Sequence, residues 1–230
     1  MKFFNILSIA SLAAALPTTS VSEGEHAEAA RIMARQLNTI RNDLERGNAN
    51  DCPRAIFIFA RGTTEPGNMG ITTGPILAGA LEDNFRRDIW VQGVGGPYEA
   101  STAPNFLPRG SSEEAIGEAK RLFALAQSKC PNTAVVAGGY SQGAALIAAA
   151  VSDLRGATQE QVKGVVLFGY TKNRQNNGRI PNYPAERTKV FCNIGDAVCD
   201  GTLIITPSHF LYNIEARGEA ARFLTARVGA

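Results

Sequence analysis

The sequence has 230 residues, of which 44% are hydrophobic and 19% are charged, and its formal net charge is +2. A chain of this length and apolar content can bury one sizeable core and is typical of a single domain. The charge balance leaves no basic stripe, which argues against a nucleic acid as partner.

The N-terminus has the pattern of a secretory signal. Lys2 is followed by an apolar run from Ile6 to Leu16, which contains an A-x-A cleavage site at Ala13–Ala15. The run is too short for a bilayer span, which needs about 20 residues. We therefore predict a signal peptide over residues 1–15, a secreted extracellular protein without stable membrane insertion, a pro-segment over residues 16–35 and a single domain over residues 36–230.

Strands and helices alternate along the rest of the chain. The predicted strands are Ala55–Ala60, Ile89–Val94, Thr133–Ala137, Lys163–Phe168 and Thr188–Cys192, and the predicted helices cover about 75–87, 112–128, 142–154 and 210–228. Most of the strands are nearly continuous in apolar residues, which is typical of parallel strands that are buried on both faces. The pattern predicts an α/β fold, a three-layer α/β/α sandwich around a mostly parallel five-stranded sheet.

Four cysteines in a secreted chain indicate two disulfides. Cys52 and Cys130 each lie just before a predicted strand, so both should stand at the same edge of a parallel sheet. Cys192 and Cys199 bracket a short turn. We predict the pairs Cys52–Cys130 and Cys192–Cys199, and no metal site, because the chain has no C-x-x-C and no histidine cluster.

One motif points to chemistry. Gly139–Gly143 (GYSQG) matches G-x-S-x-G, with the apolar Val135–Ala137 before it and the small-residue run Ala144–Val151 after it. Strand, glycine-flanked serine and helix together form a nucleophile elbow, which presents a serine hydroxyl at the top of an α/β sheet. The motif predicts Ser141 as a nucleophile.

A serine nucleophile needs a general base. The chain has two histidines, and His26 lies in the predicted pro-segment. His209 is therefore the predicted base. It follows Ser141 and the last predicted strand, in the order Ser…Asp/Glu…His of this class of enzyme.

The acid should lie between the serine and the histidine, on a loop after a strand. Asp153 falls in or at the end of a predicted helix, so its position is wrong, and Glu186 lies apart from the other candidates. Asp196 and Asp200 remain. We prefer Asp196, which follows a strand within the loop that Cys192–Cys199 would close, because the carboxylate must hold the imidazole in one orientation.

An oxyanion hole usually combines the N–H after the nucleophile, here Gln142, with an N–H from a loop after another strand. The loop Arg61–Glu65 follows the first predicted strand at the same sheet edge as Ser141. We predict that it supplies the second donor.

These residues resemble the fungal cutinases, secreted serine esterases of the α/β-hydrolase superfamily. The resemblance covers nearly the whole chain and rests on the stretches FARGTTEPGNMG (59–70), VQGVGGPY (91–98), NFLPRG (105–110), AGGYSQGAA (137–145) and LFGYTKNRQNNGRIPNYPAERTKVFCNIGDAVCDG (167–201), with the region around His209. It implies a lidless catalytic domain, a triad of Ser141, Asp196 and His209, Gln142 as an oxyanion donor, and the two disulfides inferred above.

The sequence departs from the family at the oxyanion loop. Thr63 stands where the family usually has serine, and its N–H and hydroxyl would complete the oxyanion hole. The threonine methyl restricts χ1 and crowds the site, so we expect slower turnover or a changed substrate preference. Asn105 matches a family asparagine that supports this hole. Thr102 and Phe106 also differ from many relatives, in the loop 101–106.

Apolar residues flank the predicted base, namely Leu203, Ile204, Ile205, Phe210 and Leu211. The resemblance implies that some of them line an open cleft for acyl chains, and we expect Leu203 and Ile205 at its rim. It also implies hydrolysis of cutin, a polyester of hydroxy fatty acids at the plant cuticle, and of short- and medium-chain fatty acid esters. The reaction would proceed through an acyl-enzyme, in a monomer, with no cofactor and no metal.

Three other functions fit less of the sequence. An esterase acting on acetylated polysaccharide or short-chain lipid would use the same triad. A non-catalytic surface-binding module would not need one, and a serine peptidase would need an extended substrate-binding strand that the sequence does not indicate.

Overall fold

The computed structural model describes residues 38–229. The predicted signal peptide (1–15), the predicted pro-segment (16–35) and His26 lie outside the described residues. Five strands form one sheet: β1 (Ala55–Ala60), β2 (Ile89–Gly93), β3 (Ala134–Tyr140), β4 (Val162–Phe168) and β5 (Thr188–Phe191). They lie in the order β2-β1-β3-β4-β5, and every neighbouring pair is parallel.

Helices cover both faces of this sheet. They are α1 (Asp43–Arg46), α2 (Gly74–Asn84), α3 (Glu113–Lys129), α4 (Gln142–Asp153), α5 (Gly156–Gln161), α6 (Asn213–Glu215) and α7 (Ala221–Val228), with a π-helical turn at Ala216–Ala220 between the last two. Alternate side chains of β1 enter separate cores. Ile56 and Ile58 pack in the core that contains the apolar faces of α3 and α4, and Phe57 and Phe59 pack in the core with α2 and α7. The fold is the predicted three-layer α/β/α sandwich.

Several elements differ from the sequence-based expectation. Strand β3 extends to Tyr140, because Gly138 and Gly139, which favour a turn locally, pair with Val166 and Leu167 of β4. The short helices α1 and α5 were not among the predicted helices. The C-terminal helix begins at Asn213, after a 3-10 turn at Pro207–Phe210.

Both predicted disulfides are present. Cys52–Cys130 joins the segments that lead into β1 and β3, with a Cα–Cα distance of 5.7 Å. Cys192–Cys199 closes the loop that follows β5 at the opposite sheet edge. That opposite edge, where the parallel strands end, is also where Ser141 stands. Within residues 38–229, no helix is long and apolar enough to cross a membrane.

Candidate active site

The nucleophile elbow is built around a strained serine. Ser141 is the single residue between β3 and α4, and its φ of 55° lies in the left-handed region that residues with a Cβ rarely adopt. Its N–H donates to the Phe168 carbonyl at 2.9 Å, which fixes the turn to β4. A Cβ at Gly139 would come within 2.3 Å of the Gly143 carbonyl oxygen, and one at Gly143 within 2.1 Å of the Ala60 carbonyl oxygen. Both flanking glycines are therefore required by close backbone contacts.

The structure places His209 beside Asp196. Nδ1 of His209 lies 2.8 Å from Oδ2 of Asp196, and each residue is 2% exposed. A carboxylate only accepts hydrogen bonds, so Nδ1 carries the proton and Nε2 has a free lone pair. Nε2 has no hydrogen-bond partner among the residues from 38 to 229, so the bond to the serine hydroxyl is not formed here. Such bonds are often long in ligand-free enzymes.

Asp196 receives two further hydrogen bonds. The Val198 N–H donates to Oδ1 at 3.1 Å, and the Tyr212 hydroxyl donates to Oδ2. The loop that carries Asp196 is closed by the bridge Cys192–Cys199. This buried carboxylate is thus bound by three donors, which is the condition for a stable buried charge.

The other acids considered from the sequence lie elsewhere. Asp200 is exposed at the end of the 3-10 turn Ala197–Asp200. Glu186 precedes β5, whereas Asp196 follows it. Asp153 pairs with Arg109 at 2.9 Å and with Lys120 at 3.2 Å.

Two neighbours fix the plane of the imidazole. Tyr140 stacks on His209 with ring centroids 5.1 Å apart, and its hydroxyl donates to the His209 carbonyl at 3.0 Å. Burial raises the pKa of Tyr140, so its hydroxyl stays protonated and remains a donor. A Cβ at Gly169 would come within 2.6 Å of Cε1 of His209. The ring therefore contacts backbone where any larger residue would displace it.

The predicted oxyanion donors, Gln142 and Thr63, lie on two separate elements, and both are hydrogen-bonded to the loop 101–105. Gln142 is the first residue of α4, so its N–H has no partner within the helix. Thr63 lies in the loop after β1, and its Oγ1 accepts from Nδ2 of Asn105 at 3.0 Å. Asn105 also donates to the Thr102 carbonyl at 3.0 Å, and Nε2 of Gln142 donates to the Ser101 carbonyl at 2.7 Å.

The loop that carries Thr63 is held by a half-buried glutamate and a buried arginine. Glu65 accepts from the N–H groups of Gly62 at 2.7 Å, Ile71 at 2.9 Å and Thr72 at 2.8 Å. Arg61 is buried and donates to the Glu65 carbonyl at 2.8 Å. These bonds leave the loop little freedom close to Thr63.

Four of the six residues predicted for the site face one cavity of about 550 Å³. The cavity is lined by Ser141, His209, Thr63 and Asn105 together with the apolar Ile71, Phe106, Leu203, Ile205 and Phe210. The predicted rim residues Leu203 and Ile205 are thus part of its wall. Ile205 is 51% and Phe210 53% exposed, so the cavity has an apolar border that faces solvent.

Proteins similar to this chain show its family. The family model described as Cutinase matches residues 51–228. Curated cutinases of Pyricularia oryzae and Colletotrichum truncatum are 55% and 56% identical over 232 residues, with 100% of each chain covered. The chain belongs to the cutinase family. As a cutinase it is a carboxylic ester hydrolase.

Solved structures give the same result. A Trichoderma reesei cutinase in complex with a C11Y4 phosphonate inhibitor is 33% identical to this cutinase, with a TM-score of 0.72 over 90% of this chain and 86% of that chain. An acetyl xylan esterase, 19% identical with a TM-score of 0.61 over 77% of this chain and 100% of that one, shares the fold.

Sequence reasoning missed several residues of the cutinase site. Tyr212, Tyr140 and Gly169 contact Asp196 or His209 without belonging to any motif used for the prediction. Tyr140 sits inside G-x-S-x-G at a position that the motif leaves free. Glu65 lies in the predicted oxyanion loop, three residues after Gly62, and its carboxylate accepts from the Gly62 N–H. An acid at this spacing in a turn is a signal that could have indicated such a side-chain bond to the backbone.

Proposed function

We propose that this cutinase hydrolyses ester bonds of cutin through a triad of Ser141, His209 and Asp196. The observation that carries the proposal is the buried Asp196–His209 pair, which leaves Nε2 of His209 without a partner in the cavity that Ser141 also lines. A base whose other nitrogen is bound to a carboxylate is oriented and ready to accept a proton.

The reaction begins when Oγ of Ser141 attacks the acyl carbonyl carbon while Nε2 of His209 takes the hydroxyl proton. The tetrahedral oxyanion accepts hydrogen bonds from the N–H groups of Gln142 and Thr63 and from the Thr63 hydroxyl. The Thr63 hydroxyl is free to donate because Asn105 binds Oγ1 as a donor. Asp196 stabilises the imidazolium that forms.

The intermediate collapses as the ester C–O bond breaks, and His209 gives its proton to the leaving alcohol. This leaves an acyl-enzyme on Ser141. A water molecule then attacks the acyl carbon, with His209 taking its proton. His209 returns this proton to Oγ of Ser141 as the bond between Oγ and the acyl carbon breaks, which frees the serine hydroxyl and a carboxylic acid.

The cleft favours an aliphatic ester. Its exposed border carries Phe106, Leu203, Ile205 and Phe210, which can contact methylene groups on both sides of a scissile bond. An aliphatic polyester presents such groups continuously, so we propose cutin as substrate. Short- and medium-chain fatty acid esters should fit the same wall.

Replacing the nucleophile tests the mechanism. We expect Ser141→Ala to lose hydrolysis of p-nitrophenyl butyrate and release of hydroxy fatty acids from purified cutin by a factor of about 10⁴ or more. The matched control is Ser152→Ala, in the helix that follows Ser141, whose hydroxyl donates to the Ala149 carbonyl at 2.8 Å. Hydrolysis by Ser141→Ala at near the wild-type rate would contradict the proposal.

Substrate comparison tests the substrate class. Release of hydroxy fatty acids from cutin and of acetate from acetylated xylan should be measured with the same enzyme preparation. We expect activity on cutin to exceed that on xylan because the cavity wall is apolar. A preference for acetylated xylan would instead indicate an esterase of acetylated polysaccharide, like the acetyl xylan esterase that shares this fold.

We also propose that the chain is secreted as a monomer after loss of residues 1–15 and of the pro-segment 16–35. N-terminal sequencing of protein from the culture medium should begin close to residue 36, and size-exclusion chromatography should give one chain. An intact N-terminus in the medium would refute the processing, and a larger particle would refute the monomer.

A further inference from the structure

The hydroxyl of Tyr212 contacts the same carboxylate oxygen as the imidazole. Tyr212 is fully buried, and its hydroxyl donates to Oδ2 of Asp196, to which Nδ1 of His209 also binds. A phenol is thus in direct contact with the predicted acid, in a position that no step of the mechanism above uses.

The direction of this hydrogen bond is fixed by a second one. The Asn193 N–H lies 3.1 Å from the Tyr212 oxygen, and an N–H can only donate. The hydroxyl therefore accepts from Asn193, and its own single proton is directed to Asp196. Burial raises the pKa of Tyr212 and the bond to Asp196 raises it further, so the proton is retained at neutral pH.

Asn193 connects this hydroxyl to the segment that carries the histidine. Its side-chain Nδ2 donates to the carbonyls of Leu211 at 2.7 Å and Ser208 at 3.3 Å, the two residues that bracket His209 and Phe210. The Tyr212 ring stands edge-on to His209 with centroids 6.5 Å apart and at 88°. The acid loop and the histidine segment thus meet at Tyr212.

We propose that Tyr212 is a positioning residue of this esterase, whose hydroxyl holds the Asp196 carboxylate in the orientation that binds Nδ1 of His209. The inference rests on the proposed triad. The hydroxyl withdraws negative charge from Oδ2 and fixes the rotation of the carboxylate. Tyr212 touches neither the substrate nor the reacting atoms, and it acts only through Asp196.

The variant that tests this inference is Tyr212→Phe, which deletes one oxygen and keeps the ring packed beside Phe168 at 5.9 Å. The matched control is Tyr183→Phe, which deletes another buried hydroxyl, one that donates to the Val162 carbonyl at 2.8 Å. Both variants should lose a few degrees of Tm, because Tyr183→Phe removes one buried hydrogen bond and Tyr212→Phe removes two, the second being the bond from the Asn193 N–H.

The kinetic readout separates positioning from folding. With p-nitrophenyl butyrate we expect Tyr212→Phe to lower kcat about tenfold, far less than the factor of ~10⁴ for loss of the acid itself, while KM stays within about twofold. Tyr183→Phe should leave both constants unchanged. Equal kcat for the two variants would overturn the inference.

A spectroscopic readout is independent of activity. The chain has two histidines, so the proton between Nδ1 of His209 and Asp196 can be followed in ¹⁵N-histidine-labelled protein and assigned by its loss in His209→Gln. We expect it to move downfield in Tyr212→Phe, because a carboxylate with one donor fewer is the stronger acceptor. An unmoved resonance would overturn the inference.

The wild-type protein gives a further test that needs no folded variant. A protected tyrosine hydroxyl proton should show a nuclear Overhauser effect to the His209 Nδ1 proton, and its absence would overturn the inference. Failure of the triad itself is seen separately. If Ser141→Ala keeps activity, the proposed mechanism is wrong, whereas loss in Ser141→Ala with no effect of Tyr212→Phe refutes only the role of Tyr212.

Discussion

The two halves of the site are held in different ways. On the acid side, one buried carboxylate, Asp196, receives three hydrogen bonds inside a loop that a disulfide closes. On the oxyanion side, the bonds end on successive backbone carbonyls. The Thr64 N–H donates to the Ala100 carbonyl at 2.8 Å, Nε2 of Gln142 to the Ser101 carbonyl at 2.7 Å and Nδ2 of Asn105 to the Thr102 carbonyl at 3.0 Å.

This difference predicts how substitutions in each half of the site should affect catalysis. In the proposed mechanism the acid side depends on one carboxylate, whose removal would take away the group that fixes the tautomer of His209 and stabilises its protonated form. The oxyanion side distributes it over several neutral donors, each of which contributes part of the stabilisation of the transition state. Changes on the acid side should therefore cost most, and changes on the oxyanion side should be graded.

The largest effect should come from Asp196→Asn. An amide at this position can donate to Nδ1, which favours the wrong tautomer, so we expect kcat to fall by about 10⁴ with little change in KM. The measurement is steady-state hydrolysis of p-nitrophenyl butyrate. Asp200→Asn, a neighbour that is exposed at the end of the same 3-10 turn, is the control and should keep the wild-type kcat. The reverse order would make Asp200 the acid.

A smaller effect is expected from Asn105→Ala on the oxyanion side. The change removes the donor that binds Oγ1 of Thr63 at 3.0 Å but leaves the N–H groups of Thr63 and Gln142 in place. We expect kcat to fall about tenfold, below the factor of about 10²–10³ that loss of an oxyanion donor costs. The control is Asn176→Ala, which removes the 2.6 Å hydrogen bond from Nδ2 of Asn176 to the Tyr170 hydroxyl. Neither residue lines the catalytic cavity, so this change should leave kcat unaltered. A loss as large as that of Asp196→Asn would show that the two sides do not differ.

Loss of the two disulfides should have different consequences: loss of Cys52–Cys130 should mainly reduce stability, and loss of Cys192–Cys199 should mainly reduce catalysis. Cys52–Cys130 spans 78 residues of sequence and Cys192–Cys199 spans 7. On the chain-entropy account, loss of the long-range bridge should cost about 4–5 kcal/mol of unfolding free energy and loss of the short one about 2–3 kcal/mol. The short bridge encloses Asp196, so its loss should lower kcat several-fold.

This crossed pattern is measured on two double variants, Cys52→Ser/Cys130→Ser and Cys192→Ser/Cys199→Ser. Urea unfolding should rank the first as the less stable, and kcat at a temperature where both are folded should rank the second as the less active. Equal kcat in both variants would mean that the short bridge does not help to hold the acid.

The sequence predicts the parts of the site that lie close together along the chain. G-x-S-x-G follows directly from local sterics, because the Cβ of a residue at 139 or 143 would collide with backbone. Continuous apolar runs likewise predict the buried parallel strands, and the order of elements places their ends at one edge. The sequence distinguishes Asp196 from Asp200 as the candidate acid because Asp196 lies closer to the end of β5.

The parts that the sequence does not predict depend on contacts between distant segments. Tyr212 meets Asp196 across 16 residues and Asn105 meets Thr63 across 42. Neither pair has a spacing rule, since each joins two separate segments: the loop after β5 with the start of the C-terminal helix in one pair, and the loops after β1 and β2 in the other. Asn105 was reached through resemblance to a family, and Tyr212 through the structure alone.

The smallest effect is expected from Thr63→Ser, which tests whether the methyl group of Thr63 affects catalysis on the oxyanion side. Serine keeps the N–H and the hydroxyl, so the bond from Asn105 at 3.0 Å can persist, and only a methyl group in the cavity is lost. We expect kcat/KM to rise about threefold, less than the roughly tenfold or more that a methylene group is worth in a tight pocket. The rise should be larger for a long acyl ester than for p-nitrophenyl butyrate, because the methyl crowds bulkier substrates more.

Thr64→Ser is the matched control, since Thr64 lines the same cavity while its hydroxyl bonds to the Thr63 carbonyl at 2.7 Å. It should change neither rate nor chain-length preference. A fall in kcat/KM for Thr63→Ser would mean that the methyl group holds the hydroxyl in its productive rotamer, as the restricted χ1 of a β-branched residue allows. The threonine would then improve the oxyanion hole rather than crowd it, and the oxyanion side would be as closely fixed as the acid side.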